Sequence, residues 1–99
     1  MIIVLNNKCN LNKVEFMDYQ STLENIKTNS KIILCPNYLN ISDFYLKNII
    51  LGSQNVSKYD DGAATGEISA NLLNQRGVKY SIVGHSERRK YQQDRKSVV

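Results

Sequence analysis

Ninety-nine residues, 41% hydrophobic and 22% charged, suit one globular domain at most. They exclude a disordered chain, a collagen-like repeat and a disulfide miniprotein. The net charge of +4 resides in the last dozen residues, where Arg88, Arg89, Lys90, Arg95 and Lys96 face only Asp94. Residues 1–87 are neutral overall, so the excess predicts a solvated basic tail rather than a nucleic-acid-binding face.

No apolar run approaches the roughly 20 residues of a membrane span. Asn6, Asn7 and Lys8 interrupt the N-terminal apolar run before it reaches the length of a secretory core, so no signal peptide is expected. Cys9 and Cys35 fit reduced cytoplasmic thiols better than a disulfide framework. One histidine and two distant cysteines make no metal-ligand spacing, and neither a dinucleotide fingerprint nor a Walker loop is present. The spacing therefore points to no metal site.

In chain order, Ile2-Ile3-Val4-Leu5 is a continuous apolar run, largely β-branched, the pattern of a strand buried on both faces. Phe16, Tyr19, Leu23 and Ile26 follow at spacings of three and four and predict a helix. Asn10 or Asn12 is placed to cap it, and Asn29-Ser30 to end it. Lys31–Cys35 predicts a second strand, stopped by Pro36. Ser42 or Asp43 opens a short helical candidate through Phe44, Tyr45 and Lys47. Ile49–Gly52 predicts a third strand, and 56–65 a polar loop with an Asp61-Gly62 turn. Thr65 is placed to cap a helix holding Ile68, Leu72 and Leu73, with Gly77 at its exit. Tyr80–Gly84 predicts a fourth strand. This alternation predicts an α/β fold of parallel strands joined by crossovers, and leaves a doubly wound sheet and part of a (β/α) barrel both open.

In either architecture ligands bind beyond the carboxyl ends of the strands. Asn6 and Lys8 follow the first strand, Gln54 and Asn55 the third, and His85, Ser86 and Glu87 the fourth. A lysine, a histidine and amides on one rim suit a small, anionic, oxygen-rich ligand. Each also has a structural reading: Lys8 as a solvated strand-end lysine, His85 as a satisfied structural histidine, Asn6 as a turn residue, Ser86 and Glu87 as a helix start.

The combination is more specific. Asn6-Asn7-Lys8-Cys9-Asn10, Gly52-Ser53-Gln54-Asn55, Gly62-Ala63-Ala64-Thr65-Gly66-Glu67-Ile68-Ser69 and Gly84-His85-Ser86-Glu87-Arg88-Arg89 occur in that order. In order and spacing they resemble the triosephosphate isomerase family over about residues 1–91. Asn7 departs from the aromatic residue usual at its place. The resemblance implies a (β/α)₈ barrel, here a partial barrel of about four parallel strands, with 92–99 a divergent basic tail. It implies a cytoplasmic, homodimeric enzyme of glycolysis and gluconeogenesis, without a cofactor, that interconverts dihydroxyacetone phosphate and glyceraldehyde 3-phosphate.

The same resemblance assigns roles. Lys8 resembles the lysine that offsets substrate charge, and His85 the electrophile that polarises the carbonyl. Asn6 resembles the amide beside substrate and lysine, and Ser86 and Glu87 the residues that support the site. Thr65 and Glu67 resemble the tip of a loop that enters the partner subunit, and Cys9 its contact there. The family's general base, lid and phosphate loops have no counterpart among these residues. A barrel of about 250 residues is covered only to about 40%. The chain is thus expected to be the N-terminal piece of such an enzyme, with the inert, self-associating partial barrel and a small phosphate-ligand-binding module as the alternatives.

Overall fold

The computed structural model describes residues 1–59 and 61–86. Glu87, Arg88, Arg89 and the basic tail at 92–99 lie outside the described residues.

Four parallel strands form one sheet: β1 (Ile2–Asn6), β2 (Lys31–Cys35), β3 (Ile50–Ser53) and β4 (Tyr80–Ser81). They stand side by side in chain order, β1-β2-β3-β4, with no reversal among them. A sheet wound steadily in one direction is how a barrel is built, whereas a doubly wound sheet reverses at its switch point. Ile2 pairs with Lys31 and Asn6 with Cys35, Leu34 with Leu51, and Gly52 with Tyr80.

Period-two alternation sorts the strand residues between two faces. Leu34, Ile32, Ile3 and Leu5 pack with Phe16 and Leu23 of helix α1 (Lys13–Leu23) into one core cluster. Leu51 packs with Ile41, Leu73 and Val78 into a second, under helix α2 (Ala70–Gln75). The opposite face carries Ile2, Val4, Ile33, Cys35 and Gly52. A Cβ on Gly52 would lie 2.8 Å from both Cys35 Sγ and Ile33 Cγ2, so glycine is what lets β2 and β3 pack at this point. Lys31 spans this face, with Nζ 5.7 Å from the Tyr80 ring centroid.

Helix α1 starts where a capping box dictates. Asn12 Oδ1 accepts from Glu15 N at 2.9 Å, and Glu15 Oε1 accepts from Asn12 N at 2.9 Å. The helix stops at Leu23, short of the expected Ile26 and Asn29-Ser30. Asn48 Nδ2 donates to the Leu23 carbonyl at 3.3 Å, which satisfies one of the acceptors at the helix end.

The helix expected from Ser42 or Asp43 does not form. A 3₁₀ helix covers Tyr38–Asp43 instead and ends where that helix would begin. The cause is Gln20, fully buried on α1. Its Nε2 donates to the Asp43 carbonyl at 2.9 Å and its Oε1 accepts from Tyr45 N at 2.9 Å. The Asp43 carbonyl, which would accept an opening intrahelical bond, is thereby engaged, and Phe44 is extended. A second shift concerns α2: its N-cap is Ser69, whose Oγ accepts from Leu72 N at 3.2 Å, rather than Thr65. Ile68 precedes the helix and packs against the second core. Gly77 ends the segment with φ of +84°, as its position predicts.

Candidate functional site

The carboxyl ends of parallel strands gather the loops that carry the predicted polar residues. Asn6 ends β1 and Lys8 lies two residues beyond it, exposed, with φ of +55°. This left-handed backbone is uncommon for a residue with a side chain and costs about 1–2 kcal/mol. Side-chain amides hold it on both sides. Asn6 Oδ1 accepts from Lys8 N at 2.9 Å, and Gln54 Nε2 donates to the Lys8 carbonyl at 2.5 Å. The turn role considered for Asn6 is thus present, and it acts directly on the lysine.

Gln54 follows β3 and ties the rim across β2. Its Nε2 also donates to the Cys35 carbonyl at 3.1 Å, which accepts from Asn7 N at 3.1 Å as well. Leu11, with φ of +70°, ends the same loop, and its carbonyl accepts from Asn40 Nδ2 at 2.9 Å and Asn37 Nδ2 at 3.2 Å. Asn7, where an aromatic residue is expected from the resemblance, has a buried Oδ1 with no hydrogen-bond partner among the described residues. Such an atom costs more than an aromatic ring would in the same place.

At the other side of the sheet, Ser53 Oγ and Ser81 Oγ lie 2.9 Å apart and Ile82 N donates to the Ser53 carbonyl at 2.9 Å, joining β3 to β4. His85 and Ser86 follow β4, His85 half-buried and Ser86 exposed. Strand order therefore sets Lys8 and His85 beyond the same end of the sheet, one after each outer strand of the four. Glu87, expected to support them, lies outside the described residues.

The loop expected to reach a partner subunit continues the chain beyond Gln54 and Asn55. Its ends are tied by Ser57 N donating to the Ile68 carbonyl at 2.9 Å. Thr65 and Glu67 are exposed on it, and Glu67 Oε1 accepts from Ser57 Oγ at 3.3 Å. Cys9 is exposed beside Lys8. A hollow of about 190 Å³ within the loop is lined by Asp61 and Glu67 among others. Its carboxylates would repel an anion, so a phosphorylated ligand fits the lysine-bearing rim instead.

The sequence lists Gln54 among the rim amides but assigns it no partner. Its two acceptors are backbone carbonyls, and only the fold places them there. Among the described residues, no group of three or more His, Cys, Asp or Glu could hold a metal, and no helix is long and apolar enough to cross a membrane.

The family model described as triosephosphate isomerase matches residues 1–99. The chain belongs to the triosephosphate isomerase family. Its relatives include the triosephosphate isomerase of Wigglesworthia glossinidia brevipalpis, 44% identical over 91 residues, which are 88% of this chain and 35% of the relative. That of Campylobacter hominis is 35% identical over 97 residues, 90% of this chain and 41% of the relative. That of Mesomycoplasma hyopneumoniae strain 232 is 40% identical over 74 residues, 72% of this chain and 31% of the relative. The chain thus spans well under half the length of the curated relatives it matches. The family agrees with the strand order: the four parallel strands are part of a (β/α)₈ barrel.

Proposed function

We propose that these residues form the N-terminal, electrostatic part of a triose-phosphate isomerase site, which interconverts dihydroxyacetone phosphate and glyceraldehyde 3-phosphate. The observation that carries the reading is the placement of Lys8 and His85 beyond one end of a parallel sheet, in a chain of this family. A base removes a proton from the carbon beside the carbonyl, and charge builds on the oxygens of the resulting enediolate. The proton then returns to the neighbouring carbon. Lys8 offsets the negative charge of the substrate. His85 donates a hydrogen bond to the developing oxyanion, a task for which triosephosphate isomerases are themselves the type example. Fixed donors at that place lower the barrier because they need no reorganisation as charge appears. Asn6 acts beside Lys8, and Ser86 and Glu87 support the pair.

None of Glu15, Glu24, Glu67 and Glu87 matches the family's base, so in this reading the base, the lid and the phosphate loops come from outside these 99 residues. A homodimer joined through Thr65, Glu67 and Cys9, and a place in cytoplasmic glycolysis and gluconeogenesis, complete the reading. The reaction as read needs no cofactor.

Two measurements on the 99-residue chain test it. Titration with dihydroxyacetone phosphate, followed by NMR, should give saturable shifts that Lys8→Met abolishes. A coupled isomerase assay should show no turnover above a His85→Gln control. Clear turnover would place a working base within the chain, and binding unchanged by Lys8→Met would remove the lysine from the site.

A second reading is favoured by one observation. Ile2 and Val4, on outer strand β1, are 63% and 50% exposed. An inert partial barrel would self-associate through such an edge.

A further inference from the structure

We propose that Gln54 is a positioning residue for Lys8, and that the rim works as a clamp in which two amide side chains fix the lysine backbone from both sides. The inference rests on the reading of Lys8 as a substrate-charge partner and deepens it. Gln54 lies after β3, while Lys8 lies after β1, two strands away. The reach across β2 is made by one Nε2, whose two protons serve the Lys8 carbonyl and the Cys35 carbonyl. Both donor sites are used, so the amide cannot rotate without losing a bond. On the other side, Asn6 Oδ1 takes the Lys8 N–H. With N–H and C=O both held, the peptide planes flanking the Lys8 Cα are set, and so is the direction of its Cα–Cβ bond.

The conformation held is one that Lys8 would otherwise leave. At φ of +55° a lysine is strained, and an unclamped loop would relax toward negative φ. Relaxation would turn the Cβ away from its present direction and move the ammonium group with it. A strained residue held by surrounding bonds is a usual form of preorganisation. Gln54 is half-buried and sits beside the bonded β2 end, so water competes less for its bonds than at an open surface. Gln54 need not touch the ligand for its loss to weaken binding, because it acts through the backbone of Lys8.

The test compares Gln54→Met, which keeps the length and removes the donor, with the unchanged chain. The ¹³Cα and ¹³Cβ resonances of Lys8 report its backbone conformation. They should move toward negative-φ values while cross-peaks between β1 and β2 persist. The Kd for dihydroxyacetone phosphate should rise roughly tenfold, the scale of one lost hydrogen bond to a charged or preorganised group. Lys8 resonances unchanged in a folded variant would overturn the proposal, as would a thermal midpoint that falls while the Lys8 signature stays put.

Should Gln54→Met fail to fold, Gln54→Glu carries the test. Near pH 7 its carboxylate faces two carbonyl oxygens. Near about pH 4 the protonated acid can donate again. Recovery of the Lys8 signature at the lower pH supports the clamp, and a signature that ignores pH refutes it. Failure of the unchanged chain to bind the triose phosphate would remove the proposed function alone. The coupling between positions 54 and 8 would still be decided by the resonances.

Discussion

Cys35 and Cys9 are chemically the same residue in different surroundings. Cys9 is exposed on the rim, whereas Cys35 is 1% exposed at the end of β2, against Gly52. Burial pushes the Cys35 thiol up to about 11 from an ordinary value of 9.0. The thiolate is the nucleophile, so at pH 8 iodoacetamide should modify Cys9 and spare Cys35 until the chain unfolds. Mass spectrometry of the partly alkylated chain reads the order, and equal labelling of both would contradict the burial. The same shift has a stability consequence. In the unfolded chain the thiol ionises at its ordinary value, and in the fold only near 11. The stabilising contribution is therefore complete below pH 9 and is lost as pH rises toward 11. Over that window the thermal midpoint should fall more steeply for the unchanged chain than for Cys35→Ala. At this scale the sequence is informative about identity and silent about partners. It proposes Lys8 and His85 as site residues through the motifs that contain them. It does not reveal that Gln54 bonds the carbonyls of Lys8 and Cys35, because a carbonyl carries no residue identity.

Single elements show where periodicity is sufficient and where it fails. The first three strands are legible because Ile2–Leu5, Lys31–Cys35 and Ile49–Gly52 are apolar runs rich in isoleucine, whereas the fourth, expected over Tyr80–Gly84, spans only Tyr80–Ser81. The observed limits of the first three differ by about one residue, within ordinary assignment scatter. The Asn12 cap is legible too, since Asn-x-x-Glu is a local signal. The segment after β2 is not. Its local pattern predicts a helix from Ser42 or Asp43, but Gln20, more than twenty residues earlier, takes the Asp43 carbonyl and the Tyr45 N–H. This tertiary contact overrides propensity and turns residue 44 into extended chain. It also makes Gln20 a sensitive position. Gln20→Leu fills similar space but leaves a part-buried donor and acceptor unpaired, at a cost of about 1–3 kcal/mol. Urea unfolding should show the midpoint falling with the slope unchanged. Gln20→Glu should retain the bond to Tyr45 N and repel the Asp43 carbonyl, giving a loss of the same sign. A neutral Gln20→Leu would mean that water replaces both bonds.

At the scale of the whole molecule, the sheet has two outer strands, β1 and β4, among the described residues. A closed barrel has no edges, because its last strand pairs with its first. Here the register shows which groups of β1 remain. Lys31 N donates to the Met1 carbonyl and Asn7 N to the Cys35 carbonyl, so odd-numbered residues bond toward β2. The backbone groups of Ile2 and Val4 consequently point away from it, on a strand whose side chains at these positions are largely exposed. In a complete barrel both features are covered: the ladder by a neighbouring strand, the side chains by the interior layers. Among the described residues they form a template for another strand, with apolar side chains to reward the pairing. Sedimentation velocity should accordingly show concentration-dependent association of this chain. Ile2→Lys with Val4→Lys should suppress it, since charged side chains on an edge oppose strand addition. The pair leaves Ile3 and Leu5, which face the α1 core, in place. Association that survives both lysines would shift the contact to the exposed Thr65–Glu67 segment, where Thr65→Glu should then disrupt it. A chain that stays monomeric at every concentration would show that the β1 edge is already covered.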